Sequence, residues 1–333
     1  MKQLLNNTLN RIPLKNLLER LNNLGNGRRK LINELHAEKM EIDNINREID
    51  YKFYKGLHPD NYAGELKDWF KLWSGKPLNL ENPQTYNEKI QWLKLYDSTP
   101  IKTRLADKYL VRDWVKERIG EKYLIPLLGV WDKFDDIDFE RLPDKFVLKA
   151  NHGSGWNIIV KDKSTFEKAA AKGKFSIWLN TNFAFVNGLE LHYKGITPKI
   201  IAEPYLENDN GDLYDYKVLC FNGEPYYVLV DSDRQTNHKR NIYDLEWNLQ
   251  PFRDYPNSGP KNKPNNLDEM IFLAKTLSKC FVLVRVDFYV LNDGSLKFGE
   301  LTFTPCSGQS RWNLPEYDLV LGQMITLPKA KIN

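Results

Sequence analysis

A chain of 333 residues is long enough for one large domain or two ordinary ones, with a sizeable apolar core. The net charge of +4, spread over interspersed acids and bases, argues against a dedicated nucleic-acid binder but permits a ligand that carries phosphate groups. The cysteines, at 220, 280 and 306, lack metal-binding spacing and favour a reducing compartment. Since we see neither a secretory signal nor an apolar run of membrane-spanning length, we expect a cytoplasmic protein.

The first 50 residues are rich in Asn, lack aromatic side chains and carry leucines at helical spacing. Pro13 is placed to open one helix, the "GNG" at 25–27 ends it, and a second helix follows. We predict a helical hairpin packed on its own domain. Two alternatives stay open: a short coiled coil that mediates self-association, and peripheral contact with the inner face of the membrane through the basic "GRRK" flank.

The remainder of the chain predicts an α+β fold. Residues 51–123 have helical patterns: Thr85 and Glu88 form a capping box, and a second helix over 103–119 is ended by Gly120. From residue 124 the pattern changes to strands, among them "KFVLKA", "NIIVKD", "KIIAEPYL" and a hairpin turning at Asn222-Gly223. We divide this part into a smaller lobe at 124–205 and a larger lobe at 206–333, with antiparallel hairpins and interleaved helices.

The stretch "RVDFYVLNDGSLKFGELTFTP" (285–305) predicts two strands joined by a two-residue turn at Asp293-Gly294. That register sets Asp287 opposite Glu300, with Cβ atoms about 5 Å apart. Two carboxylates at such a distance repel by roughly 3 kcal/mol at an effective dielectric near 20. A divalent cation that bridges them resolves the repulsion, and Mg²⁺ favours one or two carboxylates plus phosphate oxygens. The alternative is a solvated polar face on which the acids have no partner role.

Two further segments carry candidate nucleotide contacts. In "KFVLKANHGSGWNIIVKD", Gly153 and Gly155 allow backbone N–H groups to approach phosphates, and Lys149 ends the preceding strand. In "KIIAEPYLENDNGDLYDYK", the backbone after Glu203 is placed to meet an adenine edge, with Asp215 near ribose and Lys217 near phosphate. Taken singly, each segment is equally consistent with an ordinary hairpin or edge strand.

Together these elements resemble the ATP-grasp superfamily. The run "DKYLVRDWV", "LPDKFVLKANHGSG", "DYKVLCFNG", "RVDFY" and "FGELTFTP" is similar to the TupA-like ATP-grasp family, which takes part in teichuronopeptide and cell-surface polysaccharide synthesis. The resemblance covers about residues 65–325 and leaves the N-terminal helices outside it. It implies an ATP-grasp fold, in which two antiparallel-sheet lobes grip ATP.

The resemblance also implies roles for individual residues around ATP. The residues implied to contact the nucleotide are Lys108 and Lys149 at the phosphates, Gly153, Ser154 and Gly155 in a lid over them, Glu203 with the backbone of Tyr205 and Leu206 at adenine, Asp215 at ribose, and Lys217 at phosphate. Mg²⁺, with Mn²⁺ as an alternative, would be held by Asp287 and Glu300. Thr302 stands where the family usually has an Asn ligand. Arg285 would steady an acyl phosphate.

The basic segment "DSDRQTNHKRN" (231–241) offers an acceptor site, in which Arg234 and Arg240 would hold a carboxylate bidentately. A basic surface loop is an equally supported interpretation. Asp231-Ser-Asp233 also matches the Asp-x-Asp pattern by which metal-dependent glycosyltransferases hold a sugar diphosphate.

The resemblance implies an ATP-dependent carboxylate–amine ligase. The expected partners are ATP, a uronic-acid carboxyl of a surface-glycan precursor or sugar nucleotide, and an amino acid, amino alcohol or ammonia. A glycosyltransferase and an ATP-grasp kinase are the alternatives. The sequence does not identify the amine, the carboxylate or the oligomeric state.

Overall fold

In the computed structural model, the described residues are 46–207, 213–232 and 237–328, with the single positions 35, 38 and 39. The chain divides into two compact units, Met1–Gly56 and Leu57–Asn333. Residues 46–55 of the first unit are helical. The remaining predictions for residues 1–50, the hairpin, the coiled coil and the membrane contact, lie outside the described residues. None of the helices in those described ranges is both long and apolar enough to cross a membrane.

The second unit alternates helices and strands. Its described α-helices are α1 (Tyr62–Ser74), α2 (Tyr86–Tyr96), α3 (Pro100–Ala106), α4 (Val111–Arg118), α5 (Lys168–Leu179), α6 (Leu267–Ser278) and α7 (Tyr317–Gln323). Its described strands are β1 (Gly129–Trp131), β2 (Phe146–Ala150), β3 (Asn157–Val160), β4 (Ile200–Pro204), β5 (Asp215–Phe221), β6 (Glu224–Ser232), β7 (Lys239–Tyr243), β8 (Leu283–Val290) and β9 (Leu296–Thr302).

The strands form two antiparallel sheets, which confirms the predicted α+β class. The smaller sheet has the order β1-β4-β2-β3, and the larger has the order β7-β6-β5-β8-β9. Helix α5 covers the smaller sheet, where Phe175 joins Phe146 and Leu148 in a buried apolar cluster. Helix α6 packs on β5, β6 and β8 of the larger sheet through Met270 and Leu273. Each sheet therefore has one helix-covered face.

The β5–β6 hairpin turns where the sequence predicts it. Asn222 and Gly223 both have positive φ, at 51° and 83°, which is the backbone that an Asn-Gly hairpin turn requires. The segment "YLIPLLGVW" differs from the prediction, because only Gly129–Trp131 of it forms a strand. Pro126 cannot donate a ladder hydrogen bond, and pairing with β4 begins only beyond it.

The helix predicted over 103–119 is in fact two helices, α3 and α4. The side chain of Asp107 accepts hydrogen bonds from the N–H groups of Tyr109 (2.8 Å) and Leu110 (3.2 Å), which competes with the helical hydrogen bonds. The N–H of Lys108 donates to the carbonyl oxygen of Asn151 at 3.0 Å. The helix therefore breaks at Asp107 and Lys108, and this break ties Lys108 to the loop after β2.

The predicted capping box at the start of α2 is confirmed. Thr85 Oγ1 accepts from the N–H of Glu88 at 3.3 Å, and the Glu88 carboxylate accepts from the N–H of Thr85 at 3.0 Å. We expect Thr85→Ala to lower the free energy of unfolding by about 1 kcal/mol, because one helical N–H loses its partner. Urea denaturation followed by circular dichroism measures this loss.

Thr99 provides the matched control. It is the N-cap of α3 but makes no side-chain capping hydrogen bond. Thr99→Ala should change the free energy of unfolding by less than half as much as Thr85→Ala. Equal losses in the two variants would contradict the assignment of the capping box.

Candidate active site

The β8–β9 hairpin brings Asp287 and Glu300 together through two irregularities that compensate each other. The predicted two-residue turn is wrong. The N–H of Leu291 donates to the carbonyl oxygen of Ser295, and the carbonyl oxygen of Leu291 accepts from the N–H of Gly294. The loop therefore has three residues, and Gly294 has φ 77°. Consequently Phe288 pairs with Phe298, one position away from the predicted partner. A β-bulge beyond this pair then restores the predicted register.

This bulge places Gly299 and Glu300 together against Asp287. The flanking pairs are Val286 with Leu301 and Phe288 with Phe298, so two residues of β9 oppose a single residue of β8. A Cβ at Gly299 would lie 3.2 Å from the carbonyl oxygen of Asp287, which is tighter than ordinary contact. Glycine therefore allows the close approach of the two strands at the acidic pair.

Asp287 is buried between two cations. Arg285 donates from Nε and Nη2 to its two carboxylate oxygens, each at 2.7 Å, and Lys217 Nζ donates to Oδ2 at 2.7 Å. Burial opposes ionisation, but Arg285 and Lys217 hold the pKa of Asp287 below its usual value. Arg285 and Lys217 therefore already offset the charge of Asp287, and a dication shared by the two acids stays a prediction.

Glu300 is the more accessible acid, with 31% of its side chain exposed. Its Oε1 accepts from Arg285 Nη2 at 3.3 Å and from Thr302 Oγ1 at 3.2 Å, and its Oε2 lies 3.6 Å from Lys108 Nζ. Burial opposes ionisation here too, yet Lys108 and Arg285 lower the pKa of Glu300. Glu300 thus stays ionised and keeps an oxygen directed toward Lys108.

Lys217 connects this pair to the middle of the larger sheet. Its buried Nζ donates to Asp215 Oδ2 at 3.0 Å as well as to Asp287, and it lies 3.8 Å from Asp231 Oδ2. In the register, Lys217 is opposite Asp287 and Asp215 is opposite Asp231. Buried charges of both signs therefore form a row across β6, β5 and β8, in which Lys217 lies within 3.8 Å of all three acids, as the burial of charge requires.

The glycine-rich loop between β2 and β3, in the smaller sheet, contacts Lys108, the cation beside Glu300. Lys108 Nζ donates to the carbonyl oxygen of Gly153 at 2.5 Å, so Lys108 joins this loop to Glu300. Ser154 and Gly155 are exposed at the tip, and Gly155 has φ 74°. The role of this loop as a cover over bound phosphates stays a prediction.

The base of this loop is packed too closely for a side chain at residue 153. A Cβ there would lie 2.6 Å from Trp156 and 2.8 Å from Phe183. We expect Gly153→Ala to displace the loop and to weaken binding of a Mg²⁺–ATP analogue by about 10-fold, since the carbonyl bonded to Lys108 must move. Isothermal titration calorimetry measures the affinity.

Gly173→Ala is the control for this substitution, because Gly173 lies in α5 and nothing is within 4 Å of a Cβ built on it. Its affinity should match that of the wild-type protein. An unchanged affinity for Gly153→Ala would contradict the role of the loop in binding the nucleotide.

Glu203 lies at the end of β4 and pairs with two cations. Lys149 Nζ donates to Oε2 at 2.5 Å, and Arg112 Nη1 lies 3.4 Å from Oε1. The N–H of Tyr205 donates to the carbonyl oxygen of Lys145 at 3.4 Å, so the pairing with β2 reaches the segment predicted to meet adenine at Tyr205 and Leu206. Lys149 and Glu203 therefore share one face of the smaller sheet.

A narrow cleft joins these groups. Its lining combines cations, one acid and apolar side chains, namely Lys108, Val111, Arg112, Leu124, Lys149, Ile201, Glu203, Phe298 and Gly299. Residues of both sheets contribute, which is a typical position for a small-molecule site. Sequence reasoning missed Arg112. The available signal was its spacing of four residues from Lys108 in a helical pattern, which places both side chains on one side.

Arg240 has a different task from the predicted one. Its guanidinium donates to Asp231 Oδ1 (2.6 Å) and Oδ2 (2.9 Å) and to Asp254 Oδ2 (2.7 Å), and only 4% of the residue is exposed. All three guanidinium nitrogens of Arg240 donate to these two acids, so the group is not positioned for a substrate carboxylate, and we correct that prediction. The same pairing engages the first acid of the Asp-x-Asp pattern. Arg234 lies outside the described residues.

The donors at the acidic pair suit Mg²⁺ in their chemistry. Carboxylates of Asp287 and Glu300 and the hydroxyl of Thr302 are hard oxygen ligands. No group of three or more His, Cys, Asp or Glu side chains in the described ranges is arranged to hold a metal ion. An ion at this pair would thus complete its shell with phosphate oxygens and water, as Mg²⁺ commonly does.

Two antiparallel sheets with a cleft between them, bordered by lysines, a glycine-rich loop and an acidic pair, define an ATP-grasp fold. The model of the TupA-like ATPgrasp family matches residues 88–326, and the chain belongs to that family. No curated protein matches the sequence.

Solved structures with a similar arrangement are distant in sequence. The D-alanine–D-alanine ligase of Bacillus anthracis complexed with ATP is 17% identical, with a TM-score of 0.41, over 66% of this chain and 64% of that one. The N5-carboxyaminoimidazole synthetase of Staphylococcus aureus complexed with ADP is 15% identical, with a TM-score of 0.39, over 68% and 53%. This chain thus spans about half the length of that synthetase.

Proposed function

We propose that the protein is an ATP-dependent carboxylate–amine ligase. The observation that carries the proposal is the approach of Lys108, in the helical region before the smaller lobe, to Glu300 of the larger lobe at 3.6 Å. Lys108 lines one cleft with Lys149 of the smaller lobe, and Arg285 joins Glu300 to Asp287, the partner of Lys217. A polyphosphate needs positive charge on several sides, and an acidic pair beside it supplies ligands for a dication. The cleft lined by Lys108, Lys149 and Glu203 is the proposed nucleotide site.

The proposed roles of the nucleotide contacts are those that the resemblance to the family implies. Gly153, Ser154 and Gly155 cover the phosphates, Glu203 with the backbone of Tyr205 and Leu206 meets adenine, and Asp215 meets ribose. Lys108 already bonds to the loop, so it is placed to contact phosphate when the loop closes. Mg²⁺ bound at Asp287, Glu300 and Thr302 would neutralise phosphate charge during transfer.

The chemistry requires charge stabilisation more than a protein nucleophile. The substrate carboxylate attacks the γ-phosphorus of ATP, ADP leaves, and an acyl phosphate forms. The amine nitrogen then attacks the acyl carbon, phosphate leaves, and the amine proton passes to solvent. Arg285, held rigidly by Asp287 and lying 3.3 Å from Glu300, is the proposed cation for the acyl phosphate.

For the acceptor we propose a uronic-acid carboxyl of a bacterial surface-glycan precursor. This substrate class is the one that the sequence resemblance to the TupA-like family implies. With Arg240 engaged by Asp231 and Asp254, the cations proposed to meet this carboxylate are Arg285 and Arg234.

ADP release tests the proposed function. The purified protein is incubated with ATP, Mg²⁺, a panel of uronic acids and uronic-acid sugar nucleotides, and a panel of amines. We expect ADP and free phosphate in equal amounts, and only when a carboxylate and an amine are both present. Phosphate retained on the acceptor would indicate a kinase instead. Consumption of a sugar nucleotide without ADP release would contradict the ligase and favour a glycosyltransferase.

A further inference from the structure

Two turns of the chain hold side-chain-bearing residues in left-handed backbone. In the first, Leu189 has φ 61° next to Gly188, and in the second, Cys306 and Ser307 have φ 51° and 53° before Gly308. Elsewhere in the described ranges only Asn222 and Trp247 among non-glycine residues have positive φ. L-residues avoid this region unless the surrounding structure imposes it. Both turns therefore need other groups to hold them.

The ammonium group of Lys94 joins the two turns. Its Nζ donates to the carbonyl oxygen of Gly188 at 2.9 Å and to Ser307 Oγ at 2.6 Å, and it lies 4.5 Å from the centre of the Trp69 ring. Ser307 Oγ in turn donates to the carbonyl oxygen of Asn187 at 2.8 Å. The residue is fully buried, so Lys94 cannot exchange these hydrogen-bond partners for water.

Two other buried side chains of α2 hold the second turn. Gln91 Nε2 donates to the carbonyl oxygens of Ser307 (3.2 Å) and Gly308 (3.0 Å). Asn87 Nδ2 donates to the carbonyl oxygen of Ser310 at 2.9 Å, and Asn87 Oδ1 accepts from its N–H at 3.0 Å. Asn87, Gln91 and Lys94 are spaced four and three residues apart, so α2 presents one polar face to this loop.

A second cross-link joins the same two segments beside the first. The hydroxyl of Thr304 donates to the buried carboxylate of Glu190. Burial lowers the pKa of Lys94 to about 7, against the opposing effect of Glu190, and burial raises the pKa of Glu190. Burial therefore disfavours the charged form of both groups, and apolar side chains in their place would avoid this cost.

The second turn follows β9 directly and lies near Asp254. It begins two residues after Thr302 at the end of β9, and Cys306 Sγ lies 3.9 Å from Asp254 Oδ2, the partner of Arg240 on β7. The segment 303–308 therefore crosses from one edge strand of the larger sheet to the other, past the row of charges. None of its residues lines the nucleotide cleft.

We propose that Lys94 is a positioning residue that holds the turn at 304–308 as a wall of the acceptor subsite, where the carboxylate substrate meets Arg285. This inference rests on the proposed ligase function. Lys94 acts through Ser307 and Gly188, and its loss should leave the nucleotide cleft intact.

Hydrogen exchange followed by mass spectrometry on the full chain tests the proposal without any substrate. In Lys94→Met we expect exchange at least about 10-fold faster in peptides covering 187–191 and 304–310, with the β2–β3 hairpin unchanged. Ser307→Ala, which removes only the hydroxyl contact, should have the same local effect if Lys94→Met does not fold. Unchanged exchange in these peptides, or an equal rise throughout the protein, would overturn the proposal.

Lys89→Met is the matched control from the same helix. Lys89 Nζ donates to the carbonyl oxygen of Ile325 at 2.7 Å, so its loss should affect peptides around 322–326 and spare 304–310. Acceleration at 304–310 by this variant as well would show that α2 as a whole, and not Lys94, holds the turn.

A binding measurement and a kinetic measurement on Lys94→Met separate this inference from the proposed function. The Kd of the non-hydrolysable analogue AMPPNP with Mg²⁺ should stay within about twofold in Lys94→Met, and a larger change would place the turn on the nucleotide side. With any uronic acid that turns over, the KM for the acceptor should rise about 10-fold or more while the KM for ATP is retained. Failure of the wild-type protein to bind AMPPNP would defeat the proposed function and leave the exchange result to decide the role of Lys94.

Discussion

Asp287→Asn is expected to lower the free energy of unfolding by about 3–5 kcal/mol, because it removes the carboxylate that the buried cations Arg285 and Lys217 share. Both cations bond to Asp287 at 2.7 Å, and neither exposes more than a tenth of its surface. The sequence alone suggests that this substitution would spare the fold. The structure corrects that expectation. Guanidinium denaturation of both proteins at pH 7 measures the difference.

The loss should also depend on pH in a defined direction. Because the pKa of Asp287 is lowered in the folded protein, its contribution to stability is complete above about pH 4 and fades as the pH falls further. The difference between wild type and variant should therefore shrink in acid. Asp135→Asn, which removes one partner of an exposed ion pair with Lys172, is the control and should cost less than about 1 kcal/mol. A comparable loss for both variants at pH 7 would contradict the buried pairing.

Glu300→Gln is expected to leave the free energy of unfolding nearly unchanged and to remove most of the magnesium-dependent activity. About a third of the Glu300 side chain is exposed, so its pairs with Arg285 and Lys108 should contribute no more than about 1 kcal/mol. If Glu300 shares a Mg²⁺ with Asp287, losing its charge should reduce magnesium-dependent ADP formation by about 10²–10³-fold. Turnover at saturating ATP over a series of Mg²⁺ concentrations measures the effect.

Glu224→Gln is the control for Glu300, since Glu224 forms an exposed pair with Lys275 on the larger lobe. It should retain full turnover. If Glu300→Gln kept wild-type turnover at every Mg²⁺ concentration, Glu300 would not be a metal ligand, regardless of the result for Asp287→Asn.

Local patterns were enough to predict most of the strands and the pairing partners of the acids. Alternating apolar residues, Asn222-Gly223 and the Thr85–Glu88 capping box act over a few residues, and the structure has each of them where the sequence places it. The family motifs extend these signals, since they fix the order of the glycine-rich hairpin, the Glu203 strand and the acidic hairpin.

Features that depend on distant partners could not be predicted in this way. The break between α3 and α4 exists because Asp107 bonds to local N–H groups and Lys108 to Asn151 on another element. The observed hairpin combines a three-residue loop with a bulge. A regular hairpin with a two-residue turn pairs the same two acids, so their spacing in the sequence could not distinguish the two. The sequence did not show that the guanidinium of Arg240 pairs with Asp231 and Asp254, which lie 9 and 14 residues away.

The buried polar face of α2 illustrates the same limit. Within "YNEKIQWLKLY", Asn87, Gln91 and Lys94 look like the solvent side of an amphipathic helix, because polar residues are usually exposed. They are in fact buried, and their partners at 188 and 307–310 are far along the chain. Their side chains donate to carbonyl oxygens of these two distant segments, and such a need for donors is not visible in composition or spacing.

A crystal structure with Mg²⁺ and AMPPNP tests the central claim most directly. We expect one magnesium ion about 2.0–2.1 Å from carboxylate oxygens of both Asp287 and Glu300, with phosphate oxygens in its shell and in contact with Lys108, Lys149 and Lys217. A nucleotide bound outside the cleft between the two sheets, or phosphates in that cleft with no ion at the two acids, would contradict it.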